Sequence, residues 1–116
     1  MGSVNHVSQA TFELDVLQSA VPVLVDFYAD WCGPCRMLAP TLEKLSAEFA
    51  GRARIVKVNV DTEPELAGRL QVESIPTLAF FVGGRLVGKT TGLLPEPALR
   101  QALNQLATPG TTRRVG

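Results

Sequence analysis

The sequence lacks three features that would assign it to other classes of protein: long apolar runs, an excess of one charge, and abundant cysteine. No apolar run approaches the ~20 residues that a membrane-spanning helix needs, so we expect no membrane segment. The 11 basic residues are balanced by 11 acidic ones, and without a basic excess we expect no nucleic-acid partner. The N-terminus has neither the basic region nor the apolar segment of a signal peptide, which favours a cytoplasmic protein.

The cysteines of the chain are Cys32 and Cys35 alone. A disulfide scaffold ordinarily needs more of them, and the loop between these two is too short to stabilise the chain much. A structural zinc site needs about four ligands, and His6 is the single histidine. Covalent haem attachment requires a histidine directly after the second cysteine, where Arg36 stands. Two interpretations remain, a redox-active pair and two inert buried thiols.

The spacing of apolar residues predicts alternating strands and helices. Residues 23–29 are apolar almost without interruption, which is typical of a central strand covered by helices on both faces. Ser8 is the predicted N-cap of the first helix, Pro40 should kink the helix after the cysteines, and Gly83-Gly84 predict a hairpin turn. The predicted strands are 4–7, 23–29, 53–60, 77–82 and 85–91, and the predicted helices are 9–18, the stretch from the cysteines to about 50, 64–70 and 95–107.

This order of elements predicts an α/β fold, with parallel strands between helices and an antiparallel hairpin at one side of the sheet. A chain of 116 residues fits one domain, which we place at residues 1–107, and we expect a monomer. Residues 108–116 show no periodicity and are predicted to form a flexible C-terminal tail.

The position of the cysteines favours a redox-active pair, because they lie where a buried strand is followed by a helix. If the helix begins near Cys32, the unpaired backbone N–H groups and the helix dipole stabilise a thiolate there. Gly33 permits a tight backbone, and Pro34 suits the first helical turn because it has no N–H to leave unpaired. We therefore expect Cys32 to be the exposed nucleophile, and Cys35 to be more buried and to resolve the mixed disulfide.

The segment 31–35, Trp-Cys-Gly-Pro-Cys, resembles the active site of the thioredoxin family. The likeness continues through residues 25–30 and through 74–77, Ser-Ile-Pro-Thr, and covers about residues 8–107. The single positions that also match are Pro40, Lys57, Asp61, Gly84 and Gly92. The resemblance implies the thioredoxin fold, a five-stranded mixed sheet in the order 1-3-2-4-5 flanked by four helices, and the predicted order of elements agrees with it.

Two charged residues outside the cysteine motif acquire roles from this resemblance. Asp26 interrupts the apolar strand before the cysteines. The matching family aspartate is buried behind the cysteines and assists proton transfer at the resolving one, and burial would raise its pKa toward neutrality. Lys57 resembles the family lysine near that carboxylate. The alternatives are an Asp26 that reaches water at the edge of the strand and a Lys57 that is simply solvated.

The resemblance also implies a surface for the substrate. Pro76 resembles the family's cis-proline beside the cysteines, where the exposed backbone of Ile75 can pair with an extended substrate segment as an added strand. Trp31 either belongs to this surface or packs on the edge of the core. The remaining residues expected in or beside the flat contact patch are Gly33, Pro34, Gly92 and Leu93.

Two departures from the family pattern stand near the site: Tyr28 replaces a common tryptophan, and Ser74 replaces a common glycine.

The resemblance implies a protein-disulfide reductase that acts on disulfide-containing proteins. A thioredoxin reductase would re-reduce it, and no cofactor is expected beyond the cysteine pair. Oxidants and isomerases usually carry histidine between the cysteines, so the Gly-Pro pair favours a reductant. The other alternative is a module that binds a partner protein on the flat surface around the site.

Overall fold

The computed structural model describes residues 4–107, which form a five-stranded sheet with helices on both faces. In chain order the elements are β1 (Asn5–His6), a π-helical segment (Glu13–Leu17), β2 (Val23–Tyr28), α1 (Gly33–Glu48), β3 (Arg54–Asn59), α2 (Pro64–Arg69), β4 (Thr77–Val82), β5 (Arg85–Thr91) and α3 (Glu96–Ala107). The bounds of β4 and β5 are those predicted from the sequence. The predicted tail, residues 108–116, lies outside the described residues.

The strand order in the sheet is β1-β3-β2-β4-β5, which confirms the order that the resemblance implied. β3 runs parallel to both β1 and β2, whereas β4 runs antiparallel to β2 and to β5. The antiparallel hairpin therefore lies at one side of a parallel core, as predicted. Because β2 is central and leads directly to the cysteines, the sheet positions the cysteine pair at the carboxyl end of its middle strand.

The central strand β2 contributes side chains to two separate hydrophobic cores. Val25 and Phe27 point to the face covered by the π-helical segment and α2, and Leu24 points to the face covered by α1 and α3. All three are fully buried. Both faces of the strand are thus shielded from water, which explains why its sequence is nearly continuously apolar.

The predicted helix over residues 9–18 is wrong in its length and type. A turn at 9–11 precedes the helical residues, and the segment Glu13–Leu17 has π geometry, with the Gln18 N–H bonded to the Glu13 carbonyl at 2.9 Å. Ser8 makes its side-chain bond where predicted, but to a turn that lies before the helical residues: its hydroxyl accepts the Thr11 N–H at 3.3 Å and the Thr11 hydroxyl accepts the Ser8 N–H at 3.0 Å. These short polar side chains stabilise a turn in place of the first helical turn.

Helix α1 carries the cysteines at its amino end and is fixed to α3 at its other end. Pro40 lies inside α1, as predicted. The guanidinium of Arg100 on α3 donates two hydrogen bonds to Glu48 at the end of α1, at 2.7 and 2.9 Å, and one to Glu96 at 2.6 Å. The far end of the helix is thereby attached to a neighbouring element.

The hairpin between β4 and β5 requires both of its glycines. Gly83 and Gly84 have φ values of 60° and 82°, in the left-handed region that the predicted primed turn needs. A Cβ atom on Gly84 would lie 2.9 Å from the Leu17 carbonyl oxygen. Close approach of the π-helical segment is thus a second reason for glycine at this position. This contact could not be predicted from the sequence around the turn.

Candidate active site

Cys32 and Cys35 form a disulfide across the first turn of α1. Their Cα atoms are 5.3 Å apart. Cys32 is the N-cap of the helix, and its sulfur accepts a hydrogen bond from the Cys35 N–H at 3.2 Å. A thiolate at this position would face the unpaired N–H groups and the positive end of the helix dipole, both of which favour it over the thiol. Pro34 lies in the first turn, as predicted.

The expectation that Cys32 is exposed and Cys35 more buried is wrong for this disulfide form. Each residue exposes 4 % of its surface. The side chain of Cys32 turns inward, where its sulfur is bonded to Cys35 and lies 4.0 Å from the Ile75 carbonyl oxygen. The two cysteines and Ala29 form a small buried cluster, which Tyr28 and Ile75 border. The assignment of nucleophile and resolving thiol therefore does not follow from burial here and stays a prediction.

Asp26 is buried behind the cysteines, as predicted, with 4 % of its surface exposed. Within residues 4–107, its Oδ1 atom has no hydrogen-bond partner. Burial raises the pKa of this carboxyl from 3.8 to about 7, and the nearby positive charge of Lys57 opposes the rise. The ionised form loses hydration that few contacts replace. Asp26 is therefore present in both protonation states near neutral pH.

Lys57 lies beside Asp26 on the adjacent strand. The two residues are register partners in the parallel pair of β2 and β3, which directs their side chains to the same face of the sheet. Lys57 is partly buried, and its ammonium nitrogen lies 5.5 Å from the centre of the Tyr28 ring. The predicted proximity to Asp26 is confirmed, and an aromatic face holds the ammonium group as well.

A cavity of about 340 Å³ is lined by both the buried Asp26 and Cys35. It is large enough to hold water, so a proton has a route between the Asp26 carboxyl and Cys35 when Cys35 is a thiol. Cys32 does not line this cavity. The two cysteines are therefore equally buried but differ in their surroundings, since only Cys35 shares a cavity with Asp26. The lining residues are Asp26, Tyr28, Ala29, Asp30, Cys35, Arg36, Ala39 and Lys57.

The loop before β4 lies on the other side of the disulfide. The Ile75–Pro76 peptide bond is cis, as the resemblance implied. The Pro76 carbonyl accepts the Gly92 N–H at 2.8 Å, and the Thr77 hydroxyl donates to the Ser74 carbonyl at 2.6 Å. These bonds hold the loop so that the Ile75 carbonyl faces Cys32. The structure thus brings together the two distant parts of the predicted site.

Trp31 is exposed and does not pack on the core, so that alternative is wrong, and its place in the substrate surface stays a prediction. It exposes 67 % of its surface, and its indole N–H donates to the Asp61 carboxylate at 2.8 Å. A groove of about 360 Å³ runs between Trp31 and Ile75. Asp61 was noted in the sequence only as a matching position, and its contact with the indole could not be found there because the two residues are far apart along the chain.

Comparison with known proteins gives the same family. The Thioredoxin family model matches residues 3–105. Thioredoxin 1 of Nostoc sp. is 44% identical over 105 residues, which span 90% of this chain and 98% of that protein. Thioredoxin 1 of Chlorobaculum tepidum is 53% identical over 83 residues, which span 72% and 82%. A solved mutant thioredoxin from Halobacterium salinarum has a TM-score of 0.84 at 37% identity and covers 91% of this chain and 92% of its own.

The chain belongs to the thioredoxin family. With its Cys32–Cys35 disulfide at the amino end of α1, it is a protein-disulfide oxidoreductase, an enzyme that exchanges a dithiol and a disulfide with a partner. None of the helices in residues 4–107 has both the length and the hydrophobicity that crossing a lipid bilayer requires.

Proposed function

We propose that the protein acts mainly as a reductant of disulfides in other proteins. The Cys32 thiolate attacks one sulfur of a target disulfide, so that a bond to Cys32 forms while the target S–S bond breaks. The released target thiolate takes up a proton. Cys35 then loses its proton and attacks the Cys32 sulfur, so that the internal disulfide forms while the bond between Cys32 and the target breaks, and the second target sulfur leaves as a thiolate that takes up a proton. The target gains two electrons, and the dithiol of the protein loses two.

The observation that carries this proposal is the cavity that Cys35 shares with Asp26. A resolving thiol must lose a proton before it attacks, and a base with a pKa of about 7 can both accept and return that proton at neutral pH. Asp26 therefore takes the proton of Cys35 when a target is reduced. Lys57 supports this step, because its positive charge favours the ionised carboxylate that accepts the proton.

Target proteins bind on the surface around the disulfide. Ile75 offers a backbone carbonyl next to Cys32, which allows an extended target segment to pair with the loop before β4. The exposed Trp31 adds an aromatic contact beside this loop, and Gly33, Pro34 and Gly92 complete the surface. Such a flat patch selects a disulfide within a protein chain over a small disulfide, because much of the binding energy comes from the chain around it.

The oxidised protein must regain two electrons and two protons before it can act again. We assign this step to a thioredoxin reductase, because residues 31–35 carry the Trp-Cys-Gly-Pro-Cys segment of the family. A reductant of this kind is useful where thiols are kept reduced, so we place the protein in the cytoplasm. It needs no second copy to complete the site, since every residue of the proposed mechanism lies in one chain.

Reduction of insulin disulfides, followed as turbidity, tests the proposal. With dithiothreitol as the electron source, the protein should accelerate precipitation strongly, and Cys32→Ser should abolish the acceleration while leaving the fold intact. Replacing dithiothreitol with NADPH and a thioredoxin reductase tests the assigned partner separately. A folded wild-type protein that is no faster than dithiothreitol alone would refute the reductase function.

A further inference from the structure

Side chains from three strands form a row on the α1 face of the sheet. His6 on β1 is the register partner of Lys57 on β3, and Lys57 is the register partner of Asp26 on β2. Register partners in parallel strands point to the same face. The row therefore leads from an exposed histidine at the edge of the sheet to the buried carboxyl behind the cysteines.

Tyr28 lies across this row and contacts two of its members. Its hydroxyl is 2.7 Å from His6 Nε2, with the ring centres 5.9 Å apart. Its face carries the Lys57 ammonium group 5.5 Å from the ring centre. A side-chain hydrogen bond from Asn59 reaches it as well. The ring is thus fixed at its polar end while its face remains open to a cation.

From these contacts we propose that His6 and Tyr28 are positioning residues: their hydrogen bond holds the aromatic face on which Lys57 rests, and so keeps the lysine charge beside Asp26. This inference rests on the proposed function of Asp26 as the proton acceptor for Cys35. It adds two residues to that machinery, neither of which needs to touch the substrate or the sulfur atoms.

The physical reason is the freedom of a lysine side chain that is only partly buried. Without the aromatic face, the ammonium group gains rotamer freedom and moves toward water, because solvation is its strongest alternative. Its attraction to the carboxylate falls as the separation grows. The other charged groups that line the shared cavity are Asp30 and Arg36, and the Arg36 guanidinium donates to the Asp30 backbone carbonyl at 2.7 Å, a bond that the variants below do not remove. Asp26 would then hold its proton more tightly.

The test is an NMR titration of the Asp26 carboxyl carbon in the oxidised full-length protein. Tyr28→Leu removes the aromatic face and should move the titration midpoint upward by up to about half a pH unit, because the ring can bias the position of the lysine by no more than the free energy of one exposed cation–π contact. Tyr28→Phe keeps the face and removes the hydroxyl, so it should move the midpoint upward by less. His6→Ala should also move it upward, but by no more than Tyr28→Phe, because the bond from Asn59 to the hydroxyl remains.

A double-mutant cycle and a matched variant make the test specific. Tyr28→Phe already removes the hydrogen bond that His6→Ala removes, so the double variant should shift the midpoint no further than Tyr28→Phe alone. His6→Gln places an amide near the position of Nε2 and should restore the wild-type midpoint. Because His6 is exposed, its variants should fold even if Tyr28→Leu does not.

Several outcomes would overturn the inference. These are an unchanged or lowered midpoint in His6→Ala and Tyr28→Phe, additive shifts in the double variant, or a glutamine variant that behaves like alanine. The last result would mean that the charge of the imidazole acts on Asp26 and the hydrogen bond does not. Failure of insulin reduction by the wild-type protein would refute the proposed function instead, because the titration needs no catalysis.

Discussion

Replacing Asp26 with asparagine should stabilise the oxidised protein, and the gain should depend on pH. Asparagine has nearly the same shape but cannot ionise, so it avoids the cost of a charge in a site with 4 % exposure. The pKa of Asp26 is about 7 in the folded protein, against an ordinary value of 3.8. At about 1.4 kcal/mol per pKa unit, this difference corresponds to about 4 kcal/mol against the ionised form.

The sign follows from proton binding in the two states. Below about pH 4 the carboxyl is neutral in both states, so the wild-type protein bears no penalty. Between pH 4 and pH 7 the folded state keeps the proton that the unfolded state has lost, and stability falls by about 1.4 kcal/mol per pH unit. Above about pH 7 both states are ionised, and the full penalty of about 4 kcal/mol remains.

The assay is guanidinium unfolding of the oxidised wild-type and Asp26→Asn proteins at about pH 4.0, 5.5, 7.0 and 8.5. Roughly equal m-values for the two proteins check that both unfold in two states. Any pH-independent effect of the new amide cancels, because only the change in the difference with pH is used. Asp30→Asn, an exposed carboxyl lining the same cavity, is the matched control and should change stability little at any pH. A stability difference that does not vary with pH would refute the reasoning.

Three further predictions concern the cysteine pair, Lys57 and the hairpin glycine Gly84. Cys35→Ser should accumulate a mixed disulfide between Cys32 and a target protein, visible by non-reducing electrophoresis and mass spectrometry. Trapping of the target at Cys35 in Cys32→Ser at an equal rate would contradict the assigned roles of the two cysteines. Lys57→Met should raise the midpoint of the Asp26 carboxyl titration above that of wild type, because it removes the charge that opposes the effect of burial; a midpoint at or below the wild-type value would contradict this. Gly84→Ala should destabilise the protein by about 1–3 kcal/mol in thermal or chemical unfolding, because of its positive φ and the carbonyl that faces it.

The features that could be predicted from the sequence are those set by short-range patterns. The hairpin strands β4 and β5 were predicted with their observed bounds, because two glycines between alternating runs leave little choice of turn. The burial of Asp26 was predictable because apolar residues flank it on a strand that is covered on both faces. The cis bond before Pro76 came from the family resemblance and not from the physics of the chain.

What could not be predicted depends on contacts between distant segments or on the covalent state. The burial of Cys32 follows from its bond to Cys35 and its approach to Ile75, neither of which its neighbours in sequence specify. The hydrogen bond of Tyr28 with His6 depends on two strands that are separated by β3 in the sheet. The first helix was misjudged because its apolar residues fit an α-helix, whereas local polar bonds shortened it.

The small cluster of Cys32, Cys35 and Ala29 is separate from the two large cores of the sheet. A protein that exchanges a dithiol and a disulfide must exist in two covalent forms and pass between them in every cycle. Because the sulfur atoms belong to neither large core, we expect their bond to form and break without repacking either one. The same sheet and helices can then serve both covalent forms.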